Sequence, residues 1–279
     1  STTTIICPRA SSVSFIIKWM CSYCFLLSGC GMIDYHPYDV RISGETEVNA
    51  YNIERIEANC QGKTTIRFVT MGDSQRWYDE TEDFVKEINK RNDIDFVIHG
   101  GDMSDFGLTK EFLWQRDIMN GLNVPYVALI GNHDCLGTGA ETYKAVFGPT
   151  NFSFIAGNVK FVCLNTNALE YDYSEPVPNF TFMEQEITSR LDEFEKTVIS
   201  MHARPYTDVF NDNVAKVFQH YIRQYPGIQV CTAAHTHHYQ DDVIFDDGIH
   251  YVTSDCMDYR TYLVFTITPE KYEYELVKY

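Results

Sequence analysis

The chain has 279 residues, 44% of them hydrophobic, and carries 39 acidic against 22 basic side chains for a formal net charge of -17. That composition fits a globular protein and not a disordered one, and the length allows one large buried core. So acidic a surface repels nucleic acid and anionic lipid, so an anionic substrate needs concentrated local positive charge, which bound cations provide.

The first thirty residues stand apart. Lys18 precedes an apolar run from Trp19 to Leu27, and Ser28 and Gly29 lead into Cys30. The run is short for a membrane span and suits the apolar region of a secretory signal; a short hydrophobic helix packed on the domain is the alternative. "LSGC" resembles the lipobox of bacterial lipoproteins, which implies a signal peptide over 1–29, lipidation at Cys30 and an exported protein anchored to a bacterial membrane. Residues 31–62 read as a tether with a short edge strand and one or two helical turns, ahead of a domain over 63–279. Five cysteines remain in the body, Cys60, Cys135, Cys163, Cys231 and Cys256, at spacings that match no zinc pattern and define no disulfide pair.

From residue 64 the pattern is regular. "TTIRFVTMGD" predicts a strand, "DETEDFVKEINKRN" a helix, "IDFVIHGGD" a strand, "TKEFLWQRDIMNGL" a helix and "VPYVALIGNHD" a strand. Short apolar strands alternating with amphipathic helices predict parallel pairing. Past residue 150, "NFSFIAGNVKFVCLNTN" predicts a hairpin about Gly157 and Asn158. A helix over "FTFMEQEITSRLDEFEK", the strand "KTVISMH", a helix over "NDNVAKVFQHYIRQY" and the strand "GIQVCTAAHTH" follow. The end predicts antiparallel strands. The whole is one α/β domain of two packed sheets with outer helices.

The first three strands and the two before "ARP" and "HYQ" end in potential metal ligands. Asp73 and Gln75 follow the first, Asp102 and Asp105 the second, and Asn132, His133 and Asp134 the third; His202, and then His235 with His237, follow later ones. Ligands of parallel sheets bind beyond the carboxyl ends of strands. His99, inside its strand, reads as a packed histidine. Singly each ligand has an ordinary explanation as a cap or turn residue; together and in order they do not.

That order, "GDSQ", "GDMSD", "GNHD", "MHARP" and "AHTH", resembles the calcineurin-like metallophosphoesterase superfamily over about residues 66–240. The resemblance implies a four-layer α/β/β/α sandwich of two mixed sheets with outer helices. It implies two divalent ions, Mn, Fe or Zn. One is held by Asp73, Gln75, Asp102 and His237, the other by Asp102, Asn132, His202 and His235, with Asp102 shared. It implies hydrolysis of a phosphate mono- or diester, on a phosphorylated small molecule, by a metal-bridging hydroxide, with His133 as general acid oriented by Asp105. Two positions depart from the family: Gln75 stands for a histidine, which predicts a weaker first metal set, and Ala234 stands for a glycine. Arg76, Arg204 and Arg260 are the arginines considered for phosphate contacts, the first two as weak candidates. The second reading, suggested by Gln75, is a non-catalytic binding module on the same fold.

Overall fold

The computed structural model describes residues 41–171 and 175–279. The signal peptide, Cys30 and the part of the tether before residue 41 lie outside the described residues.

Period-two alternation builds the centre. In β1 (Ile66–Met71) Ile66 and Phe68 face one way, Val69 and Met71 the other, and all four are buried. β1 pairs in parallel with β2 (Phe96–His99), and β2 with β3 (Tyr126–Ala128). Between them run α2 (Tyr78–Ile88) and α3 (Thr109–Met119), the predicted βαβ units. β4 (Phe152–Ala156) and β5 (Val159–Leu164) form the expected hairpin about Gly157, at φ 60. β6 (Lys196–Met201) and β7 (Ile228–Ala233) extend that second sheet in parallel.

With β8 (Gln240–Asp242), β9 (Tyr251–Thr253), β10 (Thr261–Ile267) and β11 (Tyr272–Lys278), the sheets have orders β11-β10-β1-β2-β3 and β4-β5-β6-β7-β9-β8. They meet face to face through aromatic side chains. Phe68 stacks on Phe96 at 5.6 Å and on Phe265 at 5.1 Å, and meets Phe161 of the other sheet edge-on at 4.9 Å. The outer face of the first sheet is covered by α2, α3 and α4 (Gly139–Val146), that of the second by α5 (Phe180–Thr188) and α6 (Ala215–Ile222). This is the expected α/β/β/α sandwich.

Three local expectations are corrected and one unmarked helix is added. Residues 48–60 form a full helix, α1, of 13 residues, and residues 41–62 contain no strand. Its buried face is Val48, Asn49, Asn52, Ile56 and Cys60, a helical spacing in which two asparagines hide the apolar period. The helix predicted over 180–196 stops at Thr188, and Arg190 takes φ 57. α4 carried no clear signal, being eight residues that begin with glycine. At the end, β8 (Gln240–Asp242) and β9 (Tyr251–Thr253) are antiparallel to each other, but β9 runs parallel to β7; only β10 (Thr261–Ile267) and β11 (Tyr272–Lys278) form a simple hairpin, on the first sheet.

α1 seals the side where edge strands β3 and β4 lie. Asn49 accepts from the Ala128 N–H at 2.8 Å and donates to its carbonyl at 2.9 Å, pairing the free edge of β3. The Tyr143 hydroxyl also donates to that carbonyl at 2.6 Å, so Asn49→Ala orphans only the N–H. An orphaned buried donor costs about 1–3 kcal/mol. The unfolding free energy of Asn49→Ala should fall by that amount, read as a lower urea midpoint with unchanged slope; an unmoved midpoint would show that Asn49 is not a structural tie.

Candidate metal centre

The strand ends of both sheets converge on one rim. Asp73 and Asp102 follow β1 and β2 after Gly72 and Gly101, and both are buried. Among the described residues, eight non-glycine positions have positive φ, and four of them are Asp73 (φ 50), Asp102 (φ 57), His235 (φ 76) and His237 (φ 62). Left-handed backbone costs non-glycine residues energy, so its concentration on four candidate ligands marks a built site. Glycines make the approach possible. A Cβ on Gly131 would lie 2.1 Å from Asp102 Oδ1, and one on Gly101 would lie 2.8 Å from His202 Nδ1.

Two sets form around one carboxylate. Ligand atoms of Asp102, His202 and His235 lie within 4.8 Å of one another, as do those of Asp73, Asp102 and His237. Asn132 Oδ1 lies 3.1 Å from His202 Nε2 and 2.9 Å from His235 Nδ1, so it joins the first of these sets. The structure therefore brings together Asp73, Asp102, Asn132, His202, His235 and His237.

The donor chemistry fits divalent cations. His202 Nδ1–H donates to the Gly100 carbonyl at 2.8 Å, which leaves Nε2 facing Asn132 and, at 3.4 Å, Asp102 Oδ2. His235 Nε2 meets the Asp208 carboxylate at 2.6 Å, which leaves Nδ1 facing Asn132. Asp73 Oδ1 is buried without a hydrogen-bond partner. An orphaned buried oxygen beside converging imidazole, amide and carboxylate ligand atoms is what a cation satisfies. Electrostatics agree. Burial pushes the Asp73 carboxyl up to about 7, despite His202 nearby. Burial also works against Asp102, but His202 and His133 hold it below the usual carboxylate range. Burial pushes against His202 as well, yet Asp102 raises it to about 9. A cation in the cradle favours charged carboxylates and neutral imidazoles, and so takes the place of that proton on His202.

Gln75 is buried beside Asp102, as expected, but its Nε2–H donates to Asp102 Oδ2 at 3.1 Å. It presents a donor to the shared carboxylate, and a half-turn of the amide is needed to present Oε1. His237 is half-exposed, lies 3.5 Å from Asp73 Oδ1 through Nε2 and packs against the edge of Trp77. Ala234 is not among the positive-φ residues, so no glycine is required there; its Cβ sits where Gly72 and Gly100 leave room.

His133 opens a short 3-10 turn beside this centre and is not part of either set. Its Nδ1–H donates to the backbone carbonyl of Asp105 at 2.9 Å. The Asp105 carboxylate stands 3.8 Å from that nitrogen and is instead paired with Arg76 at 2.6 Å. Asp105 thus orients His133 through its main chain, not through the carboxylate that the resemblance implied. Arg76 is exposed, at the rim, with its guanidinium over the Trp77 ring. Arg204 is bound to Gln240 and Asp242, and Arg260 to Asp83 and Glu80, so both are committed to scaffold carboxylates and amides.

Asp134 is a structural clamp. Its carboxylate accepts from Ser104 N–H and Oγ–H and from Gly131 N–H, locking the second and third loops together. His99 is packed, as expected. Gly101 N–H donates to its Nδ1 at 3.1 Å, so Nε2–H donates to Ser74 Oγ at 2.8 Å. Burial, aided by His202, pushes its pKa from 6.5 down to about 3. The unfolded chain takes up a proton here below 6.5 and the folded chain does not. This contribution to stability is therefore full above about pH 6.5 and is lost as pH falls toward 3. NMR shifts of the His99 ring should stay constant from about pH 8 to 4.5; a midpoint near the ordinary histidine value would contradict the burial account.

Comparison with known proteins bears on the same residues. The family model described as Calcineurin-like phosphoesterase matches residues 66–239. A search among curated proteins finds no match. Among solved structures, purple acid phosphatase PPD1 from yellow lupin (Lupinus luteus) is similar at TM-score 0.58 and 14% identity, over 78% of this chain and 52% of that one. GAP50, the anchor in the inner membrane complex of Plasmodium, is similar at TM-score 0.57 and 11% identity, over 77% and 85%. A dimetal phosphatase from Danio rerio is similar at TM-score 0.55 and 12% identity, over 76% and 97%. At these identities the structural likeness shows the fold.

Proposed function

The chain belongs to the calcineurin-like phosphoesterase family, and on that premise we propose that it hydrolyses phosphate mono- or diesters of small molecules with two divalent ions. The observation that carries the proposal is the sharing of Asp102 by two three-residue sets. Ions held there supply positive charge for the phosphoryl oxygens and ionise water near neutral pH.

The chain's own residues do the rest. Asp73 and Asp102 bring two negative charges against the ions, and Asn132, His202, His235 and His237 bring neutral donors. His133 has its Nδ1–H tied to the Asp105 carbonyl, so in the imidazolium form its Nε2–H is the proton given to the departing ester oxygen, leaving neutral imidazole. Arg76, exposed beside it, holds non-bridging phosphate oxygens. Arg204 and Arg260 are less exposed and hold carboxylates of β8 and α2 instead. Gln75 makes the Asp73–Gln75–Asp102–His237 set the weaker one.

The test is turnover of p-nitrophenyl phosphate and its bis ester with added Mn²⁺ and with chelator. The reading expects metal-dependent release of nitrophenol. A second reading, a non-catalytic binding module, is favoured by one observation, the Gln75 N–H turned onto Asp102; GAP50, with the same fold, is described as an anchor. Metal-independent background rates on both esters would select that second reading.

The exported, lipid-anchored placement read from residues 18–30 is also a proposal. Among the described residues no helix is long and apolar enough to cross a membrane. Mass spectrometry of the mature protein should find a lipidated Cys30 as the first residue; retention of Gly29 would remove it.

A further inference from the structure

Two of the three candidate imidazole ligands have an acceptor behind them, and one of those acceptors lies in no family motif. His202 is held by the Gly100 carbonyl. His235 is held by Asp208, at 2.6 Å from Nε2, in the loop after β6. We infer that Asp208 is a positioning residue for the Asp102–Asn132–His202–His235 set, fixing the His235 tautomer so that Nδ1 faces the metal. The inference rests on the phosphoesterase reading.

The geometry is linear in function. Asn132 Oδ1 sits 2.9 Å from one ring nitrogen and Asp208 Oδ1 2.6 Å from the other. A carboxylate on the outer nitrogen keeps the proton there, orients the ring and makes the inner nitrogen a better donor. The His235 backbone N–H donates to Asp73 Oδ2 at 2.9 Å, and its ring meets that of His202 edge-on at 5.1 Å.

Asp208 is presented by a built loop. Thr207 Oγ–H donates to the Arg204 carbonyl at 2.7 Å, Tyr206 N–H to Asp212 Oδ1 at 2.9 Å, and Phe210 N–H to the Thr207 carbonyl at 3.2 Å. Phe210 is buried edge-on against Phe218 at 5.2 Å, and Arg204 ties the start of the loop to β8 through Gln240 and Asp242. This gives Arg204 a task, anchoring the Asp208 loop, in place of a phosphate contact.

The Asp208 side chain is 87% exposed. Ion pairs so open to water add about 0–1 kcal/mol to stability, so the fold does not depend on it. That makes it a clean site for substitution. His237, by contrast, lies against Asp73 and the Trp77 edge and not against Asp208, so removal of Asp208 acts on one set and not on the other.

The experiment is calorimetric titration of chelator-stripped full chain with Mn²⁺ alone, for wild type, Asp208→Asn and Asp208→Ala. Asp208→Ala should weaken one bound ion roughly 10–100-fold and leave any second ion unchanged. Asp208→Asn, which still accepts a hydrogen bond, should fall between. Visible absorption of the Co²⁺-loaded protein should change in Asp208→Ala, and the urea midpoint of the metal-free chain should not. Mn²⁺ affinities of both variants equal to wild type would overturn the role of Asp208 alone. A wild type that binds no Mn²⁺ would overturn the phosphoesterase reading with it.

Discussion

Asp102→Asn should cost at least about 10³-fold in turnover and remove both ions instead of one. The expectation follows from position. Asp102 belongs to both three-residue sets, and its two oxygens take the His133 N–H and the Gln75 amide. Asparagine tolerates the left-handed backbone at φ 57, so the fold should survive while the shared charge is lost. Without that charge two cations a few ångströms apart repel each other with no anion between them. Metal content measured by mass spectrometry should fall from two to at most a trace of one. A variant that keeps both ions, or keeps its rate, would show that Asp102 is not the shared ligand.

His133→Ala should behave differently. Its metal content should match wild type, because His133 lies outside both sets. Turnover of an alkyl phosphate should drop by about 10²–10⁴-fold, the usual worth of a positioned general acid. Turnover of the p-nitrophenyl ester should drop far less, because nitrophenolate leaves without needing a proton. Equal losses on both esters would mean that His133 shapes the loop and does not donate. Asp105→Ala should do less harm than a dyad predicts, since the Asp105 contact with His133 Nδ1 is through the main chain.

The layered fold and most of the centre were legible because apolar alternation and a terminal carboxylate or histidine coincide at the same strand ends. Phe68 and Phe96 face the second sheet, and the same strands deliver Asp73 and Asp102 one turn later. What escaped the sequence depends on contacts between distant segments. α1 was hidden because Asn49 and Asn52 sit on its buried face, where Asn49 serves the edge of β3 and Asn52 accepts from Arg55. The parallel run of β9 beside β7 carries no local mark. Asp208 lies in "RPYTDVF", with no periodicity and no motif, and only the fold brings it to His235. The arginines were equivalent in sequence; all three pair with carboxylates, and exposure separates Arg76, 61% open at the rim beside His133, from Arg204 and Arg260. Gln75 was read as a weakened ligand, and the structure adds that its amide must turn over to become one at all.

The central claim, two cations gathered around one buried carboxylate, is tested most directly by anomalous diffraction from crystals grown with Mn²⁺. The account predicts two peaks about 3.5–4 Å apart, both within bonding distance of Asp102. One of them should be flanked by Asn132, His202 and His235, the other by Asp73 and His237. A map with no peak at Asp102, under conditions where the protein hydrolyses phosphate esters, would contradict it.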